Sequence, residues 1–144
     1  MVENLFEKYN AAILGFDVVF AEPDHSSGLS VLESLAVTKF KQNRAFIDRL
    51  SELRHGLDYD AIFADTVSKY PVVLGLHFNI EHNVSEVELI GSLPKPIMAI
   101  EDLMNSGNLI LEANAYSSNL EGLSRVALGA GHFSQQPDTD GVVR

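Results

Sequence analysis

The sequence predicts an α/β fold: a mixed, largely parallel sheet with helices packed on it, as a three-layer or two-layer sandwich. Three observations predict it. A near-continuous apolar run rich in Val, Ile and Phe at AAILGFDVVF and a second apolar run at PVVLGLHFNI have the pattern of buried strands, and GAGHF reads as a third strand. Between them lie longer stretches with apolar residues at helical spacing. Strand, helix, strand, helix, strand in that order requires crossover connections, and crossovers join parallel strands.

Taking the chain in order, Val2, Leu5, Phe6, Tyr9 and Ile13 recur at roughly helical spacing and lead into the first apolar run. That run stops at Pro23, which lacks an N–H and has a fixed φ, so AEPDHSSG reads as a loop. From Leu29 to Leu53 an amphipathic helical pattern uses Leu32, Leu35, Ala36, Phe40, Phe46, Ile47 and Leu50, with a break near Gln42. Gly56 punctuates, Asp58 or Asp60 can cap a new helix, and Ala61 to Tyr70 supplies that helix until Pro71 ends it.

PVVLGLHFNI is the second buried strand. Glu81 to Pro96 reads as an irregular excursion with one short strand at Val87 to Ile90. Leu120, Leu123 and Val126 place a helix over Asn119 to Ala127, GAGHF follows as a third strand, and the QQPDTDG turn feeds VVR as an antiparallel fourth.

With 144 residues, one domain (1–144) is expected. Ten Lys and Arg against 20 Asp and Glu give a net charge of -10, a net field that repels nucleic acid and anionic lipid head groups and whose functional reading is cation binding. The absence of cysteine excludes disulfides, thiolate metal sites and a cysteine nucleophile. No run of about 18 apolar residues and no signal-like start is present, while the abrupt beginning and the VVR ending suggest a piece of a longer membrane protein.

Enzyme motifs are missing. There is no G-x-S-x-G, no G-x-x-x-x-G-K-[ST] and no H-E-x-x-H, and the glycines around Gly129 fall short of G-x-G-x-x-G. His25, His55, His77, His82 and His132 include no pair at helical ligand spacing, so no metal site or cofactor is assigned. Asp138-x-Asp140-Gly141 matches only the opening of a calcium loop, and an EF-hand would need a glutamate beyond Arg144.

Asp17 interrupts the first apolar run. Alternation puts Ile13, Gly15, Asp17 and Val19 on one face and Leu14, Phe16, Val18 and Phe20 on the other. A buried carboxylate needs a cation, and Arg144 or Arg125 is the expected partner.

The blocks GFDVVFAEPD, LDYDAIFAD, YPVVLGLHF and GHFSQQPDTDGVVR occur in the order and approximate spacing of type-2 CHASE domains, which the chain resembles along nearly its whole length. Relative to that family the chain lacks a first acidic strand and a continuation past the DGVVR block, as a domain truncated at both ends would. The resemblance implies no catalysis of its own. It implies an extracytoplasmic sensor, periplasmic or extracellular, of a bacterial inner-membrane receptor, attached through flanking helices outside these residues. The expected output is an adenylate or guanylate cyclase, with a histidine or serine/threonine kinase as the alternative.

Ligands of parallel sheets tend to sit beyond the carboxyl ends of the strands. That assigns an unidentified small-molecule or ion ligand to Asp17, Glu22, Asp24 and His25, with Asp138 and Asp140 as neighbours. The competing readings are a protein-contact module, for homodimerisation or partner binding, with no small ligand, for which strand-edge pairing of a truncated chain would be an artefact, and a carboxylate hydrolase, for which no base and nucleophile can be named.

Overall fold

A computed structural model describes residues 1–79, 89–96, 98–105 and 112–134. The element order is α1 (Val2–Glu7), β1 (Leu14–Gly15), α2 (Leu29–Thr38), α3 (Arg44–Leu57), α4 (Tyr59–Lys69), β2 (Val72–Asn79), β3 (Leu89–Ile90), α5 (Ile100–Asn105), β4 (Ala115–Ser117), α6 (Glu121–Val126) and β5 (Gly129–His132). The expected α/β fold with a mixed, largely parallel sheet is what forms. β2 pairs in parallel with β1 and β5, β3 pairs in parallel with β4, and β2 with β4 is antiparallel.

β2 is the centre of the sheet because PVVLGLHFNI is apolar enough to be covered on all sides; Val72, Leu74, Gly75 and Leu76 are all buried. Val72 and Leu74 join Val2 of α1, Val67 of α4 and Leu123 of α6 in the core cluster. Phe6, Leu14, Phe16, Phe20 and Phe63 pack against that cluster. Helices α1, α4 and α6 therefore form one layer on the sheet. α2 and α3 stand outside it, packed on each other, and neither contains a buried residue.

The carbonyls of β2 show how its edges are shared. Val72 and Leu76 accept from Leu128 and Phe133, so the even-numbered carbonyls face β5. Val73 accepts from Phe16 N–H at 2.9 Å and Asn79 from Asn114 N–H at 3.2 Å, so β1 and β4 occupy the same, odd-numbered edge in succession. Between them falls the carbonyl of Gly75, which no strand reaches. Asn119 takes that position: its Nδ2 donates to Gly75 O at 2.8 Å and its Oδ1 accepts from Phe20 N–H at 2.9 Å. Leu120 N–H adds a bond to Phe20 O at 2.8 Å.

Asn119 is fully buried, and the side chain that ties β2 to the chain after β1 comes from 44 residues away. Its neighbour Ser118, equally buried, donates from its N–H to Ile90 O at 2.8 Å and from Oγ to Ser92 O at 2.7 Å. Gly91, at φ 75, lies so close that a Cβ there would collide with the carbonyls of Ser118 and Asn119.

Several expectations change. The first strand is two residues long, because after Phe16 the chain leaves the ladder and crosses over Gly75. A Cβ on Gly75 would lie 2.6 Å from Phe16 O and 2.9 Å from Val18 O. Asp17 is consequently exposed, so the desolvation argument for a buried cation partner does not apply. Arg125 is engaged elsewhere, 2.6 Å from Glu121 on the surface of α6, and Arg144 lies outside the described residues. The alternation itself holds where the chain is extended: Leu14 and Phe16 pack on the core while Ile13, Gly15 and Asp17 face out.

The break near Gln42 separates α2 from α3, with Asn43 Oδ1 accepting from Phe46 N–H to start α3. Gly56 does not punctuate; α3 runs through it to Leu57. The helix expected from Asn119 begins at Glu121, since the Asn119 side chain is committed to β2. β4 and α5 were not anticipated. The 87–88 half of the short strand, His82 and the VVR strand lie outside the described residues.

Replacing Asn119 by alanine strands a buried carbonyl and an N–H, and urea melts are expected to show a loss of about 2–4 kcal/mol. Gly75→Ala forces the 16–18 segment off β2 and is expected to cost about 1–3 kcal/mol by the same measurement. Gly131→Ala, where a Cβ meets nothing within 4 Å, is the matched control and is expected to be near neutral.

Candidate sensory site

The loop after β1 and the first turn of α4 meet at one corner. Asp58 is the residue that caps α4, its Oδ1 accepting from Ala61 N–H at 3.0 Å. Asp60 is free of that duty and reaches across, accepting from Asp24 N–H through Oδ2 at 2.9 Å. The Asp24 carboxylate turns inward on its own loop and accepts from Ser26 N–H at 2.6 Å, an Asx turn. The AEPDHSSG loop is thus pinned to α4 by one carboxylate and shaped by another.

Hydrogen bonding from Ser26 holds the Asp24 carboxyl below its ordinary value, with a smaller contribution from the charge of His25. Asp17, Glu22 and His25 are exposed, and among the described residues no hydrogen bond or ion pair engages their side chains. Of the six expected ligand residues, the structure brings Asp24 into a contact with another carboxylate. Asp138 and Asp140 lie outside the described residues. Among the described residues no group of three or more His, Asp or Glu side chains converges on a point.

Beside this corner is an open apolar groove of about 380 Å³. Phe16 and Phe20 come from the chain after β1, Tyr59, Ile62, Phe63 and Thr66 from successive turns of α4, and Met1 and Val2 from the start of α1. Phe16, Phe20 and Phe63 meet edge to face in all three pairings, with centroids 5.1 to 6.1 Å apart, which fixes the groove floor. Phe20 is also the residue whose N–H and C=O are held by Asn119 and Leu120. The floor of the groove and the clip on β2 therefore share one residue.

Sequence reasoning found the acidic loop but not the groove. The α4 residues at 59, 62 and 63 in the LDYDAIFAD block, with Thr66 just after it, carry a helical period, which marks a helix face without saying what lies opposite. Asp60 offered a local signal only as a cap.

A family model described as the CHASE2 domain matches residues 1–144. The chain belongs to the CHASE2 domain family. Neither a curated protein nor a solved structure matches it. CHASE2 domains are extracytoplasmic sensory domains, so the role to be accounted for is recognition rather than catalysis.

The titration of Asp24 checks the geometry of this corner. A depressed carboxylate pKa contributes stability above the unfolded-state value and loses it as pH falls through the lowered value. Carboxyl ¹³C NMR is expected to place the Asp24 midpoint below the ordinary 3.8, and Ser26→Ala is expected to move it back up.

Proposed function

We propose that this CHASE2 domain is the ligand-sensing part of a bacterial inner-membrane receptor, on its periplasmic or extracellular side, whose cytosolic output is a class III adenylate or guanylate cyclase. The observation that carries the sensory reading is the family match across residues 1–144. The choice of a cyclase over a histidine or serine/threonine kinase follows how often such sensors precede one.

The ligand, in this reading, is a small molecule or ion taken at the corner formed by the AEPDHSSG loop and α4. Asp17, Glu22, Asp24 and His25 would take its polar or charged part, with Asp138 and Asp140 as further candidates, and the groove walls would receive any apolar portion. A groove of about 380 Å³ is within the range of small-molecule sites, which are mostly apolar with a few polar groups. The net charge of -10 favours a cationic ligand or an amine over an anion. Occupation would press on Phe20, and through it on the Asn119 clip, so the sheet would register the ligand.

One observation favours a second reading. β3 ends the sheet order β1-β2-β4-β3, and its Leu89 is 60% exposed. An edge strand of that kind suits a protein contact, and the domain would then signal by homodimerisation without a small ligand.

A thermal-melt screen against calcium, EDTA, other divalent ions and small metabolites separates the two. A ligand at 100 times its Kd adds about 2.7 kcal/mol and moves the midpoint by several degrees. The expected result is a hit whose shift is abolished by Ile62→Trp, which fills the groove, and reduced by Asp24→Asn. A midpoint that depends on protein concentration and on no ligand supports the contact module instead. For the full receptor, the hit is expected to change cyclic-nucleotide synthesis.

A further inference from the structure

Half of the basic residues of this acidic chain lie in one stretch. Five of its ten basic residues fall between Lys39 and Arg54, against two carboxylates, so this stretch carries +3 in a chain of net charge -10. Arg49 and Arg54 are paired with Glu52 and Glu33. Lys39, Lys41 and Arg44 have no ion pair among the described residues, and no carboxylate occurs in the sequence between Glu33 and Asp48. All three are exposed at the turn joining α2 to α3.

That turn is built, not loose. Lys39 and Phe40 N–H groups both donate to Leu35 O, Asn43 N–H donates to Phe40 O, and Asn43 caps α3. The Phe40 ring lies on Phe46 with centroids 4.6 Å apart and is still 39% exposed, and Val37 beside it is 71% exposed. Three exposed cations, without an ion pair among the described residues, thus flank an aromatic ring and a valine at the tip of a helical hairpin that has no buried residue of its own.

We propose that the α2–α3 tip is a membrane-contact surface that docks on anionic phospholipid head groups. Lys39, Lys41 and Arg44 meet the lipid phosphates, and Phe40 and Val37 rest at the head-group level, where aromatic side chains are at home. The body of the domain, net negative, is repelled by the same surface, so the contact orients the domain with its acidic corner away from the bilayer. The inference rests on the receptor reading for one thing, a membrane within reach.

A second copy of this chain is the less suitable occupant. Its acidic corner has the right sign, but tip-to-corner contact is head-to-tail, and such contacts grow into open chains unless the rotation closes. Two copies also repel through their net charge.

The test is co-sedimentation of the purified protein with vesicles of phosphatidylcholine containing roughly 30% phosphatidylglycerol, beside pure phosphatidylcholine. Binding is expected on the anionic vesicles only, and is expected to collapse when salt rises from about 50 mM to about 500 mM, where the screening length falls to a few Å. Each basic residue near an anionic surface is worth about fivefold in affinity, so Lys39→Gln, Lys41→Gln and Arg44→Gln together are expected to lose on the order of 100-fold. If the triple variant does not fold by circular dichroism, Lys41→Gln and Arg44→Gln alone, each expected to lose about fivefold, carry the test.

The proposal is overturned if the protein ignores anionic vesicles, if the variants bind as well as the parent, or if the parent pellets without vesicles in a way the variants do not. The last result would assign the tip to a protein contact. The assay uses neither ligand nor output domain, so a failed ligand screen leaves its result standing, and its own failure leaves the sensor reading standing.

Discussion

The carbonyl of Gly75 is the constraint around which the rest of the sheet is arranged. It lies in the middle of the central strand, on an edge that β1 leaves after Val73 and β4 joins only at His77. An unpaired carbonyl in that position would be buried at a cost of roughly 1–3 kcal/mol. Asn119 meets it with a side chain that has a donor and an acceptor on one planar group, and spends the acceptor on Phe20. One residue thereby closes the sheet edge, anchors the chain that has just crossed Gly75, and sets where α6 can begin. Close approach at Gly75 and Gly91 follows from the same crowding, since a Cβ at either would collide first with backbone, and at Gly75 with the Phe133 ring as well.

Much of this was legible in the sequence, and the exceptions share a cause. β2 declares itself because PVVLGLHFNI is apolar on both faces. β5 is recognisable for a related reason, and the break between α2 and α3 lies in the polar KQNR run. The acidic loop was legible from Pro23 and its flanking carboxylates. What could not be read depends on contacts far apart in the chain. β4 is three residues, Ala-Tyr-Ser, without a strand pattern of its own, and it is extended because β2 and β3 pair with it on either side. The length of β1 is set by the crossing over Gly75, and the chain beyond it is held by a residue 99 positions from Phe20. Asp17 looked buried because its neighbours are apolar, whereas the turn over Gly75 puts it outside.

The same reasoning separates the two halves of the candidate site. Asp24 and its loop are local structure, an Asx turn written in consecutive residues, and the sequence sufficed to find it. The groove is tertiary structure, formed where α1, α4 and the chain after β1 happen to leave a space between their aromatic residues. Asp58 and Asp60 illustrate the boundary. Either could cap α4 on sequence grounds, and the division of labour between them, one capping and one reaching to Asp24 N–H, is decided by where the loop passes.

The α2–α3 hairpin has a consequence for how the molecule breathes. Local opening costs least where little apolar surface is lost and backbone hydrogen bonds are close to solvent. Neither helix buries a residue completely, and their contacts outside the pair are few and made through α3 to α4. The hairpin can therefore swing away or fray as a unit while β2, α4 and α6 stay closed, so amide hydrogens of residues 29–57 would exchange by a separate, cheaper route than those of β2. The domain then has two levels of stability, with the sheet as its fixed frame and the hairpin as an arm that can adapt to a neighbour without unfolding anything else.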